Sequence, residues 1–189
     1  MIATISLRGR IVRLRPLELA HAGHEVRWHS DADVRHWLHR SEDGPEYRTH
    51  AAIERKIGEV LADPTELRFL IETTDGVPIG DIGLLGIHPH GRAELSIILG
   101  EKPYWSQGYG TDSILCLLGF AFGALGLRRV TLIADADNAR GIRCYEKCGF
   151  RHEGLLRAHR LRDGKPLDMV AMAVLREEFA AGFRGAGGL

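Results

Sequence analysis

The chain has 189 residues, 44% of them apolar and 26% charged, a make-up suited to one soluble globular domain with a sizeable core. The 25 Lys and Arg balance the 25 Asp and Glu, so charge gives no support for a general nucleic-acid or membrane-surface binder. No apolar run approaches the ~20 residues of a membrane-spanning helix, and the first residues lack a signal-peptide core.

Gly9 to Arg15 reads as a first strand, with Ile11, Val12 and Leu14 as its apolar positions and Pro16 as its stop. Leu17 to Trp28 reads as a helix, and Ser30 or Asp31 can cap a second, short one that runs to Leu38. Arg40 to Pro45 is a polar loop, and Glu46 to Leu61 is a third helical stretch closed by Asp63-Pro64. Residues 17–61 are therefore expected to form a helical insert before the main sheet.

Leu67 to Thr73 is a strand with Phe69 and Ile71 on one face, and Asp75-Gly76 is a hairpin turn signal. Its partner, Val77 to Ile87, is interrupted by Gly80, Gly83 and Gly86, which predicts a bent or bulged strand. His88-Pro89-His90-Gly91 is a turn; a His-x-His pair can ligate zinc, but no further Cys or His cluster supports a metal site. Arg92 to Leu99 completes an antiparallel meander over residues 67–99.

Gly100 and Pro103 break that last strand, and Gln107-Gly108-Tyr109-Gly110-Thr111 opens a long helix. Thr111, Ile114, Leu115, Leu118, Ala121, Phe122 and Leu125 recur at helical spacing and give it an apolar face. A Gly-rich helix start offers backbone N–H groups without intrahelical partners at the positive end of the helix dipole, an arrangement suited to phosphate. No Gly-Lys-Ser/Thr follows, and Ser113 stands where the dinucleotide fingerprint needs its third glycine, so both of those phosphate loops are excluded.

Arg129 to Asp135 is the next strand, and Asn138 starts a helix that Cys148-Gly149 ends. Phe150 to Leu161 and Pro166 to Leu175 are two long strands across the Asp163-Gly164 turn. The tail from residue 178, rich in Gly and Ala over Ala180 to Leu189, is expected to fray. With no internal repeat or linker, residues 1–189 read as one domain. The cysteines, Cys116, Cys144 and Cys148, lie on predicted helices and are odd in number, which argues against a disulfide framework and for a reducing, cytoplasmic setting. Cys144 and Cys148 share a helix face but lack an activating partner, and read as packing residues.

The order strand, loop, x-Gly-x-Gly-Thr, long helix, strand, then Asn138…Tyr145-Glu146-Lys147-Cys148-Gly149-Phe150, resembles the GNAT superfamily of acyl-CoA N-acyltransferases over about Ile11 to Leu175. Within it the chain is most similar to the branches that acetylate ribosomal proteins and spermidine. The resemblance implies an α+β fold: a central, mostly antiparallel, splayed sheet of about seven strands flanked by helices. It implies acetyl-CoA as co-substrate, no metal, and direct attack by an amine acceptor (a protein N-terminus, a polyamine or another small amine) in a ternary complex. A non-catalytic acyl-CoA sensor and transfer of a larger acyl group such as succinyl are the alternatives.

By the same resemblance the amides of Gln107, Gly108, Tyr109, Gly110, Thr111 and Asp112 would cradle the pyrophosphate. The pantetheine would lie along Ile97, Ile98 and Leu99 and bond to Asn138, and an Ile98–Leu99 amide would face the thioester oxygen. Tyr145 would protonate the leaving thiolate; Glu94 would act as base, with Asp81, His88 or bulk water as alternatives. Trp105 departs from the family, which often places Gln or Arg there. The 17–61 insert would border the acceptor, with Trp28, His29, His36, Trp37 and Tyr47 as candidate lining residues or as packing aromatics. The last two strands would pair in a homodimer.

Overall fold

The computed structural model describes residues 5–38 and 49–183. Eight strands form one sheet: β1 (Leu7–Arg8), β2 (Val12–Pro16), β3 (Leu67–Thr73), β4 (Pro78–His88), β5 (Arg92–Leu99), β6 (Arg129–Asp135), β7 (Arg151–Arg162) and β8 (Lys165–Leu175). Their spatial order is β1-β2-β3-β4-β5-β6-β8-β7, antiparallel throughout except for the parallel β5–β6 pair. The helices are α1 (Ala22–Ser30), α2 (Ala32–His36), α3 (His50–Ala62), α4 (Tyr109–Gly123), α5 (Ala139–Lys147) and α6 (Arg176–Phe183).

Of the strand expected over Gly9–Arg15, only the part from Val12 is extended, as β2, which also takes in Pro16; the residues before it form a turn, and a further strand, β1, precedes them. Gly9 N–H donates to Val12 O at 3.0 Å and turns the chain back, so that Leu7 pairs with Leu14. Asp112 Oδ2 accepts the N–H groups of Ile11 (2.7 Å) and Val12 (3.1 Å), fixing this turn to α4. That interaction spans about a hundred residues and has no local signal. Leu17–Trp28 is likewise not one helix: a 3-10 turn at Leu19–His21 precedes α1. Asp31 caps α2, accepting from Asp33 N and Val34 N, and Thr49 caps α3. The expected loop Arg40–Pro45 lies outside the described residues. The tail is helical further than its composition suggests, because α6 continues through Phe183.

Pairing sorts the sheet into two faces. Phe69, Ile71, Ile82, Leu84 and Leu95 point to one side, where they meet Ile114, Leu117, Leu118 and Ala121 of α4 in the main core. Arg68, Leu70, Asp81, Gly83, Glu94, Ser96 and Ile98 belong to the opposite face by the same register. Around that second face a smaller core forms from Leu17, Ala22, Ile53 and Ile57, and another from Trp28, Val34 and Leu70. The expected bulging of β4 is present as register shifts at Ile71/Glu72 and Leu85/His88. Gly80 is required by close approach: a Cβ there would lie 2.0 Å from Ile98 O.

Candidate active site

The site is built on a strand pair that parts. β5 and β6 are paired only at Arg92–Arg129, Ala93–Val130 and Glu94–Thr131, at the start of both strands. Beyond Glu94 one edge of β5 has no strand beside it, while its other edge stays paired with β4 as far as Leu99. Charge holds the far end of β6 on its other side. Arg160 of β7 makes a two-pronged bond to Asp135, 2.7 Å from each carboxylate oxygen, and Arg162 bonds Asp135 and Asp137. Burial alone would raise the Asp135 pKa, but the two guanidinium groups outweigh it and hold the carboxyl below its usual range.

A groove of about 370 Å³ follows the parted edge to the start of α4. Its walls include Ile97, Ile98 and Leu99 of β5, Gly108, Gly110 and Thr111 of the loop and α4, and Asn138, Cys144 and Tyr145 on the α5 side. Gly108 is left-handed at φ 91° and N-caps α4. The first ladder bond of α4 runs from Asp112 N to Gly108 O at 2.9 Å, so the amides of Tyr109, Gly110 and Thr111 come before the ladder and remain for a ligand. Asp112 is thereby corrected as a cradle residue: its amide is inside the helix and its carboxylate is committed to β2. The Gln107 side chain donates to Pro103 O, and the Tyr109 ring stands edge-on to Tyr104 at 5.2 Å.

Asn138 Oδ1 accepts from Gly141 N at 2.9 Å and caps α5 while lining the groove, so both of its expected roles are compatible. Three cations that the sequence had given no binding role also line it: Arg140, Arg143 and Lys147. Their spacing along α5 was visible, but not the side of the helix that would face a phosphate. Trp105 makes two contacts of its own. Its Nε1 donates to Leu99 O at 2.7 Å, and its ring supports the Arg140 guanidinium at 4.0 Å. Cys148 is buried as expected, whereas Cys144 faces the groove, 3.3 Å from Thr111 Oγ1. The Cys148 thiol donates to Thr111 O at 3.6 Å, and the neighbouring Cys148 and Thr111 groups hold the Cys144 pKa below its ordinary value against the effect of burial.

A second cavity, of about 600 Å³, lies between the other face of the sheet and α1 and α3. Its polar lining carries both signs of charge: Glu25, Glu59, Asp81 and Glu94 stand with Arg35, Lys56 and Arg68, alongside His29 and Ser96. Gly83 makes room for Arg68, since a Cβ there would lie 2.4 Å from Arg68 Cδ. The guanidinium therefore lies across the sheet, donating to Asp81 Oδ1 at 2.9 Å and to Ser96 Oγ at 3.2 Å. Burial, reinforced by the nearby Glu25 charge, raises the Asp81 pKa to about 7. Glu94 keeps an exposed edge at this cavity, yet partial desolvation raises its pKa as well.

Tyr145 and Asn138 line both the groove and the cavity. The two residues are seven apart, two turns of helix, and share a face of α5. Burial raises the Tyr145 pKa, so the phenol holds its proton. Of the aromatic candidates in the insert, Trp37 lines both spaces and His29 lines the cavity. His36 packs edge-on against Trp37 at 4.5 Å. Trp28 takes the packing role of the two expected for it: 1% exposed, it lies on Gly100 and donates to Glu101 Oε1 at 2.8 Å. Tyr47 lies outside the described residues. His88 is away from both spaces, bonded to its own turn through His90 N. Among the described residues no group of three or more His, Cys, Asp or Glu is placed to hold a metal.

Comparison with known proteins agrees with this geometry. The spermidine N(1)-acetyltransferase of Escherichia coli K12 is 28% identical over 172 residues, covering 90% of this chain and 89% of that one. A crystal structure of an acetyltransferase from T. thermophilus is 33% identical with a TM-score of 0.76, covering 93% of this chain and 92% of that one. Spermidine N-acetyltransferase from Vibrio cholerae, solved with CoA and spermine, shares the fold at a TM-score of 0.81 and 24% identity, over 89% of this chain and 98% of that one. The acetyltransferase (GNAT) domain model matches residues 12–151. With the parted strands, the Gly-rich helix start and Tyr145 between two spaces, that match places the chain in the GNAT family of acetyltransferases.

Proposed function

We propose that the protein moves an acetyl group from acetyl-CoA to a primary amine while both are bound. The observation that carries this reading is Tyr145, which lines both the groove suited to CoA and the cavity suited to an acceptor. Acetyl-CoA, when bound, supplies the activated acyl carbon. The amides of Tyr109, Gly110 and Thr111, with Arg140, Arg143 and Lys147, hold the phosphates. The open edge of β5 takes the pantetheine as an added strand would be taken, and an Ile98–Leu99 amide steadies the acyl oxygen. Glu94 receives the proton lost by the acceptor ammonium; its raised pKa makes it a better base than an ordinary surface carboxylate. Tyr145 gives its hydroxyl proton to the departing thiolate.

The acceptor class rests on the named relatives, which act on spermidine, and on the carboxylates of the cavity. We further read the protein as a homodimer formed through β7, and its three free thiols as fitting a reducing cytosol.

Gly110→Glu tests the groove. At this position a carboxylate suits the helix dipole, so α4 should persist, but the charge occupies the phosphate position. Calorimetry should show acetyl-CoA affinity reduced by about a hundredfold or more, roughly the loss of two good hydrogen bonds to charged groups. A variant with its circular dichroism intact and its affinity unchanged would rule out this site.

A further inference from the structure

Not every charge that lines the acceptor cavity is open to a ligand. Arg68 is committed to Asp81 and Ser96 across the sheet. His29 Nε2 lies 3.6 Å from Glu25 Oε2. Asp81 and Glu25 are 4% and 6% exposed, and their remaining oxygens, Asp81 Oδ2 and Glu25 Oε1, are themselves buried. These side chains form a network in the wall of the cavity and offer little of their charge to its interior.

Glu94, Arg35 and Lys56 are placed differently. Glu94, on β5, has no hydrogen bond or ion pair at its carboxylate among the described residues. Arg35, on α2, is partly buried, yet its guanidinium has no such partner there either. Lys56, on α3, has Glu59 3.9 Å away on the same helix, with the two side chains 42% and 60% exposed, and a pair so wet and so long is weak. The cavity therefore offers an open carboxylate from the sheet and two open cations from two helices. A purely cationic acceptor would pair with Glu94 and set more positive charge against Arg35 and Lys56. A guanidinium taken partly out of water needs acceptors for its N–H groups, and its planar fork matches a carboxylate or a phosphate. Ile53 and Ile57 of α3 and Leu85 of β4 add apolar wall to a space of about 600 Å³, more than an amine head alone requires.

We propose that Arg35 and Lys56 form an anion subsite in this cavity, so that the acceptor is an amine that also carries a carboxylate or a phosphate group. Its nitrogen faces Glu94 and Tyr145, its anionic group faces Arg35 and Lys56, and its apolar part rests on Ile53, Ile57 and Leu85. The subsite rests on the acetyl-transfer reading for its purpose, but its occupancy can be measured without turnover.

The test is calorimetric titration of the CoA-saturated protein with matched amines that differ only in the anionic group: leucine against 3-methylbutylamine, 5-aminopentanoate against butylamine, and phosphoethanolamine against ethanolamine. In at least one pair the wild type should bind the anionic member about tenfold more tightly or better, the scale of one charge-assisted hydrogen bond. The pair that does so separates a carboxylate from a phosphate. Arg35→Gln combined with Lys56→Gln should bring that ratio close to one while CoA affinity is kept, since neither side chain lines the CoA groove. Either single variant should lower the ratio, and serves if the double variant loses CoA binding. Equal binding within every pair, no binding of any member, or a preference that survives in CoA-binding variants overturns the subsite. Acetyl transfer is judged separately by CoA release from acetyl-CoA. Release with no anionic preference would keep the transferase reading and remove the subsite; an anionic preference without release from any amine would do the reverse.

Discussion

In the proposed reaction Tyr145 is the side chain that gives up a proton. It stands on α5 where the groove and the cavity meet, with its ring edge-on to Phe150 at 6.2 Å. Tyr145→Phe keeps that packing and removes only the hydroxyl. A thiolate is a moderately good leaving group, so the acid helps without being indispensable. We expect kcat to fall by about 10–1000-fold with acetyl-CoA affinity little changed, toward the low end of general-acid effects. Because burial raises the phenol's pKa, wild-type kcat should show no alkaline loss from this group below the ordinary tyrosine value of about 10. Full kcat in the phenylalanine variant would make Tyr145 a packing residue. Trp105 carries a different lesson at this scale. It stands where the family often has Gln or Arg, yet its indole Nε1 donates to Leu99 O and its ring supports Arg140.

Among the elements, the parting of β5 from β6 matters most, and it is fastened from the β6 side. Asp135, at the end of β6, is bonded by Arg160 and Arg162 of β7. Arg160 also donates to Leu38 O at 3.2 Å, while Arg162 lies 5.5 Å over the Trp37 ring, which lines both spaces. Asp135→Ala leaves two guanidinium groups without their shared buried carboxylate. The expected loss of unfolding free energy is about 3 kcal/mol, at the lower end for breaking a buried ion pair because Asp137 still holds Arg162. Acceptor KM should rise as Trp37 loses its support. Denaturant melts and steady-state kinetics on the same variant check both; unchanged stability would show that packing alone keeps the strands apart.

For the molecule as a whole, the eight-stranded sheet ends at β7, an edge strand of 12 residues whose Leu155 and Leu161 are 54% and 50% exposed. A long edge with apolar side chains invites pairing. Light scattering should give twice the 21.0 kDa chain mass at micromolar concentration. Leu155→Lys should shift the population to monomer, since it places a charge where two edges would meet. A wild type that is monomeric throughout that range rejects the dimer.

The features determined by sequence alone are those that neighbouring residues specify. Glycine at Gly108 permits the left-handed turn that opens α4, Asn138 caps α5, and seven residues later Tyr145 falls on the same face because a helix repeats every ~3.6 residues. The meander and the last hairpin follow from alternation and from Asp-Gly turns. Tertiary structure decided what depends on partners far away in the chain. Asp112 could not be separated from the phosphate cradle until β2 arrived to take its carboxylate, and Trp28 could not be removed from the acceptor wall until Gly100 lay beneath it. Arg68 meets Asp81 only because β3 and β4 pair in a register that sets Gly83 beside Arg68. Glu25 reaches the same cavity from α1, and the cations of α5 face the groove because of how that helix packs. Local spacing fixes which way a side chain leaves its own element; what it then meets depends on long-range register and packing, which no short stretch of sequence encodes.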